Sequence, residues 1–174
     1  DIPAPDITVS EAAPATILIV DDDKRNRRLL QTLLGHEGYV TRSAASGGEA
    51  LAAIADDRPD LILLDVMMPG LDGRQVARAV KADPSSRKIP IIMLTAQTDR
   101  EARLAALDAG AEDFLSKPID RAELCLRVRN LLRLKRLGDH LEDHQLALEA
   151  EAQARTAELR ARTADVQRFR TAMD

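Results

Sequence analysis

The stretch "LILLDVMMPGLDG", residues 61–73, places four large apolar residues before an aspartate and follows it with two methionines, a proline and two glycines among its next eight positions. A short run with no polar interruption is what a strand buried on both faces requires, whereas a strand with one wet face would alternate. The charge of Asp65 therefore falls at the carboxyl end of a central strand. Pro69, Gly70 and Gly73 then turn the chain away from it.

Two more runs, Ile17 to Val20 and Ile91 to Leu94, are apolar at every position, and each is followed by a helical pattern. Working outward, "TILIV" precedes "KRNRRLLQTLLGHEG", "YVTRS" precedes "SGGEALAAIADD", and "LILLD" precedes "DGRQVARAVKAD". "PIIMLT" precedes "DREARLAALDAG" and "DFLSK" precedes "DRAELCLRVRNLL", which makes five strand-helix units. The helical pieces carry a single apolar stripe, such as Leu29, Leu30, Leu33 and Leu34, or Val76, Ala77 and Val80. This alternation predicts an α/β fold, a doubly wound five-stranded parallel sheet.

The 174 residues have room for one ordinary domain plus an extension. A net charge of −4, without a basic cluster interleaved with aromatics, argues against direct binding of nucleic acid. Only 2% of residues are aromatic, so base-stacking platforms are excluded more firmly than any enzyme class. The single cysteine, Cys125, fits a reducing compartment, and no apolar run approaches the length of a membrane span; the sequence predicts a soluble cytoplasmic protein. The opening "DIPAPDITVSEAAPA", residues 1–15, starts with a residue other than Met and reads as a flexible Pro/Ala-rich leader of a processed or excised chain.

Residues 16–132 are the expected domain, and 133–174 a charged, Ala-rich helical segment. With Leu134 at heptad position d, the a/d series is Leu134, Gly138, Leu141, Gln145, Leu148, Ala152, Arg155, Leu159, Arg162, Val166, Phe169 and Met173. The sequence thus predicts a homodimeric coiled coil whose main apolar contacts are Leu134, Leu141, Leu148, Leu159, Val166 and Phe169. A helix this polar has no core of its own to hold it.

In an open parallel sheet, ligands bind beyond the carboxyl ends of the strands. The strand ends here carry Asp21, Asp22 and Asp23, then Asp65, Thr95, and Lys117 with Pro118. Each has an ordinary alternative: an aspartate or threonine after a strand can cap the next helix, and a lone lysine is commonly a solvated surface group. Their joint placement on one sheet edge points instead to a site. Clustered carboxylates repel unless a cation neutralises them, and an all-oxygen set suits Mg2+ or Mn2+. Such a set permits phosphoryl transfer to a carboxylate, with Asp65 as nucleophile, Asp22 and Asp65 holding the metal, and Thr95 and Lys117 contacting phosphoryl oxygens.

The segments "ILIVDDDKRNRRLL", "LILLDVMMPGLDG", "IIMLTA" and "FLSKPID" resemble, in order and spacing, the signature segments of receiver domains of two-component response regulators. The resemblance implies a flavodoxin-like strand order of 2-1-3-4-5. It also implies that Asp65 is the phosphoacceptor, that Asp22 and, through water, Asp21 form the acidic metal site, and that the backbone carbonyl of Met67 is a further ligand. By the same resemblance Thr95 and Phe114 are a switch pair, Lys117 contacts the phosphoryl group, Pro118 follows a cis peptide bond, and Met67 and Gln97 tune hydrolysis. The donor would be a phosphohistidine on a sensor histidine kinase or phosphotransfer protein. Asp23 remains a helix cap. The tail resembles helices that lead to PAS, diguanylate cyclase, HD-GYP or kinase modules; its closing "RFRTAMD" resembles the entry to a PAS domain, and the sequence carries no GGDEF or HD-GYP string, helix-turn-helix or P-loop. On this reading the protein is a phosphoacceptor rather than a conventional enzyme. A phosphoaspartate hydrolase is disfavoured because the nucleophile lies on the third strand and Met67 stands where a second acid would be needed. A degenerate dimerisation scaffold is disfavoured because every motif residue is present.

Overall fold

The structure, a computed structural model, describes residues 13–96 and 100–173, so nearly all of the leader lies outside the described residues. Two compact units divide the chain, Asp1–Lys135 and Arg136–Asp174. The first alternates strands and helices: β1 (Thr16–Val20), α1 (Lys24–His36), β2 (Val40–Ala44), α2 (Gly47–Asp56), β3 (Leu61–Asp65), α3 (Gly73–Ala82), β4 (Ile91–Thr95), α4 (Arg100–Asp108) and β5 (Asp113–Ser116). Helix α5 (Arg121–Ala172) begins in this unit and continues through the second. The strands form one parallel sheet in the order β2-β1-β3-β4-β5. Both the flavodoxin-like order and the long terminal helix expected from the sequence are present.

The unbroken apolar runs are explained by two cores, one on each face of the sheet. Leu18, Val20, Ile62, Leu64, Ile91 and Met93 pack with Ala50 and Ile54 of α2, Val76, Ala77 and Val80 of α3 and Ala106 of α4. The alternate residues Ile17, Ile19, Leu61, Leu63, Ile92 and Leu94 pack with Leu30 and Leu34 of α1 and Leu124, Val128 and Leu132 of α5. Successive side chains point to opposite faces, so a strand covered twice must be apolar throughout. β2, at the edge, is accordingly only half buried.

Local chemistry sets the helix starts. The side chain of Asp23 accepts from Arg25 N–H to cap α1, and Ser46 caps α2 from Glu49 N–H. Asp72 caps α3 in a reciprocal box with Gln75. Beyond Leu132 no residue of α5 is buried. No helix among the described residues is long and apolar enough to cross a membrane.

Candidate functional site

Strand register brings the site together. Val20 pairs with Leu64, Asp65 with Leu94, and Thr95 with Ser116, so the residues following β1, ending β3 and β4, and following β5 lie at one edge of the sheet. Asp21 is fully buried, while Asp65 and Thr95 are each 4% exposed. Asp22 is exposed. Carboxylate oxygens of Asp21, Asp22 and Asp65 lie within 4.8 Å of one another.

Lys117 closes the cluster, its Nζ 3.2 Å from Asp65 Oδ1 and 3.4 Å from Asp21 Oδ2. The Lys117–Pro118 peptide bond is cis, and Lys117 N–H donates to Thr95 O at 2.8 Å. Asp21 is further fixed by Asp23 N–H on its Oδ1 at 2.9 Å, and Arg27 Nη1 reaches its backbone oxygen at 2.7 Å. Met67 N–H points to Asp65 Oδ1 at 3.4 Å, and its side chain is exposed.

The electrostatics follow from two buried carboxylates sharing one ammonium. Burial pushes the Asp65 carboxyl above its ordinary value; Lys117 pulls it back and Asp21 adds to the rise. Burial works against the charged form of Lys117, but the combined charges and hydrogen bonds of Asp65 and Asp21 outweigh it and hold the ammonium above its ordinary value. One negative charge in the trio is left uncompensated, and Asp22 adds another at the rim. Hard oxygen donors with an excess of negative charge fit a small divalent cation, and the exposure of Asp22 leaves room for retained water.

Gly73 is required by the same architecture. A Cβ there would lie 2.3 Å from Asp65 O and 2.9 Å from Val66 Cα, so α3 starts directly against the backbone of the acidic strand. Gly70, with φ +77°, makes the turn between them.

Phe114 stands apart from the carboxylates. Its ring is partly buried against the α2/α3/α4-side core, with Arg103 Cζ 5.0 Å from its centroid. Its strand neighbour is Met93, two residues before Thr95. Gln97 lies outside the described residues. Sequence reasoning passed over Arg27, which reaches back to the Asp21 backbone, and Arg127, whose Nη1 holds both Asp113 oxygens at 2.7 Å beside Phe114. Basic residues on predicted helices gave no signal for these roles, because their partners are set by packing. An apolar pocket lined by Leu29, Leu30 and Ile119 adjoins Asp21 and Lys117.

Comparison with known proteins agrees with this geometry. Residues 17–129 match the model of the response regulator receiver domain. The response regulator PleD of Caulobacter vibrioides is 49% identical over 131 residues, covering 75% of this chain and 29% of that protein. Response regulator MprA of Mycobacterium ulcerans is 47% identical, covering 71% of this chain and 52% of its own length. The chain thus spans about half or less of the curated relatives it matches. Among solved structures, a putative response regulator from Chloroflexus aurantiacus superposes with a TM-score of 0.67 at 45% identity, covering 69% of this chain and 98% of that one.

Proposed function

Because the chain belongs to the response regulator receiver domain family, we propose that residues 16–132 take a phosphoryl group onto Asp65 from a phosphohistidine of a sensor kinase or histidine phosphotransfer protein. The observation that carries this reading is Asp65 itself: a buried carboxylate at a strand end, 3.2 Å from an ammonium and grouped with Asp21 and Asp22. One carboxylate oxygen bonds to phosphorus as the donor's phosphorus–nitrogen bond breaks; the electron pair leaves on the imidazole nitrogen, which takes up a proton. Lys117 and Thr95 meet the phosphoryl oxygens. The apolar pocket beside Lys117 offers a seat for the donor's own surface.

Asp22 and Asp65, with the backbone carbonyl of Met67 and Asp21 through water, would hold Mg2+ or Mn2+. When bound, the ion supplies positive charge that offsets the carboxylates and the incoming phosphoryl oxygens. Thr95 and Phe114 form the switch: Thr95 draws toward the phosphoryl oxygen and the Phe114 ring turns further inward. Met67 has no group to orient a water, and with Gln97 it sets a slow hydrolysis. Residues 133–174 pair with those of a second copy and carry the state of Asp65 to an output module, in the cytoplasm.

Acetyl phosphate with Mg2+ tests the reading. The expected result is a persistent added phosphoryl mass that Asp65→Asn and chelation both abolish. Rapid catalytic release of phosphate would establish a hydrolase instead, and the absence of labelling would establish a degenerate scaffold.

A further inference from the structure

The tail of α5 contains a short internal repeat. Residues 154–160, ARTAELR, and 161–167, ARTADVQ, share four identical positions and keep acidic then aliphatic character at the next two. In the uninterrupted register this repeat puts Arg155 and Arg162 at d, where a symmetric parallel pair sets each arginine against its own copy. Dehydrating such like-charged layers is unfavourable. Both guanidiniums instead turn to the glutamate one turn earlier, at 3.1 Å for Glu151–Arg155 and 2.9 Å for Glu158–Arg162.

The residues after those arginines behave differently. Thr156 Oγ1 donates to Ala152 O at 3.0 Å, and Thr163 Oγ1 donates to Leu159 O at 2.9 Å. Each hydroxyl hydrogen is satisfied within its own helix, so these side chains can line an apolar seam without an orphaned donor. Using them gives a second seam: Ala152, Thr156, Leu159, Thr163, Val166, Arg170 and Met173. It joins Leu134, Leu141 and Leu148 through a four-residue insertion in the heptad pattern, a stutter that locally unwinds a coiled coil.

Neither seam dominates. The uninterrupted one buries Phe169 and sets Asp165, at g, beside Arg170, at e, of the second copy, but it contains the two arginine layers. The stuttered one removes those layers but exchanges Phe169 for Arg170 and brings Arg155 toward Arg160 of the other helix. Ala152, Leu159, Val166 and Met173 serve both. The occupant is a second copy of this chain: Leu134, Leu141 and Leu148 are 63%, 67% and 52% exposed, forming a shared apolar stripe upstream. His144 at g also stands opposite Glu149 at e between like helices.

We propose that residues 152–173 form a two-state seam with a second copy of the chain, in which paired helices alternate between an Arg155/Arg162/Phe169 layer set and a Thr156/Thr163/Arg170 set. The proposal rests on the dimeric reading above. Passing between the seams turns each helix by about half of the ~100° that separates adjacent residues. The seam is thereby a two-state element that the state of Asp65 can bias.

Single cysteines at Leu148, Thr156 and Phe169, each in the full chain carrying Cys125→Ser, test it by disulfide cross-linking before and after acetyl phosphate with Mg2+. The expected result is cross-linking at 148 throughout, products at both 156 and 169, and a 156-to-169 ratio that phosphorylation moves by about tenfold. Asp65→Asn should cancel that movement, and Arg155→Leu with Arg162→Leu should shift the products to 169. Cross-linking at 148 with only one of the other two positions reactive in every state would overturn the two-state seam and leave the dimer standing. A ratio unmoved by phosphorylation would overturn its coupling to Asp65. Failure to cross-link at all three positions would overturn the dimer itself and the seam with it.

Discussion

In β3 every residue from Leu61 to Asp65 is buried, whereas from residue 141 to 172 every residue of α5 is exposed, although leucine recurs in both. The same side chain thus has two meanings, set by what lies on each side of it. In the sheet, helices cover both faces and each leucine contributes its full apolar area; in the tail, a leucine gains nothing until another helix covers it. In the sheet unit Asp65 is buried, with Lys117 on its carboxylate and the start of α3 against its backbone oxygen. The tail is held by short-range ion pairs such as Glu151–Arg155 and Glu158–Arg162, which are exposed and individually weak.

The largest expected effect breaks this contrast at its strongest point. Leu63→Ala, at a position with no exposure, should cost about 2–5 kcal/mol in urea unfolding. Leu148→Ala should leave the unfolding of the first unit within about 0.5 kcal/mol, and light scattering should show its effect as weakened dimerisation. Comparable losses of unfolding stability at the two positions would refute the contrast.

Gly73→Ala comes next. Its Cβ cannot share space with Asp65 O, so it should destabilise by about 1–3 kcal/mol through overpacking, with slower phosphorylation because Asp65 must shift. Mg2+ at about ten times its dissociation constant should raise the unfolding free energy by about 1.4 kcal/mol. Asp22→Asn should weaken that gain, as read in paired urea titrations.

A smaller effect concerns Asp65 in the absence of metal. Its folded pKa is raised by burial from 3.8, so the folded state binds this proton more tightly than the unfolded one. The associated stability is present below the unfolded value and is lost as pH rises through the folded one. Asp65→Asn should therefore stabilise the metal-free protein at neutral pH, by up to about 1 kcal/mol, and flatten this part of the pH profile. A mutant less stable than the parent at pH 7 would show that loss of the Lys117 contact outweighs relief of the buried charge. Smallest of all, Arg155→Ala should change unfolding by less than about 0.5 kcal/mol, since its partner Glu151 lies on the same exposed face.

Much of the candidate site is legible in the sequence, because strand ends in a parallel sheet necessarily share an edge. That rule gathers Asp21, Asp22, Asp23, Asp65, Thr95 and Lys117 at one edge, and it is the resemblance to receiver domains that sets Asp23 aside as a helix cap. The unequal surroundings of Asp21 and Asp22 were not legible. One is fully buried on Lys117 while the other is exposed, and adjacent identical residues carry no mark of which will turn inward. Arg27 and Arg127 were not legible either, because packing brings their partners, the Asp21 backbone oxygen and the Asp113 carboxylate, to them.

The sequence by itself determined the doubly wound sheet and the position of each chemical group along it, because apolar periodicity and strand ends are local properties of the chain. Only the tertiary structure decided that Lys117 sits between two buried carboxylates. It also decided that α3 needs a glycine where it begins, since a Cβ there would strike the backbone of Asp65. The physical reason is distance along the chain: Asp21 and Lys117 are 96 residues apart, and register and packing, rather than any nearby pattern, bring them to 3.4 Å.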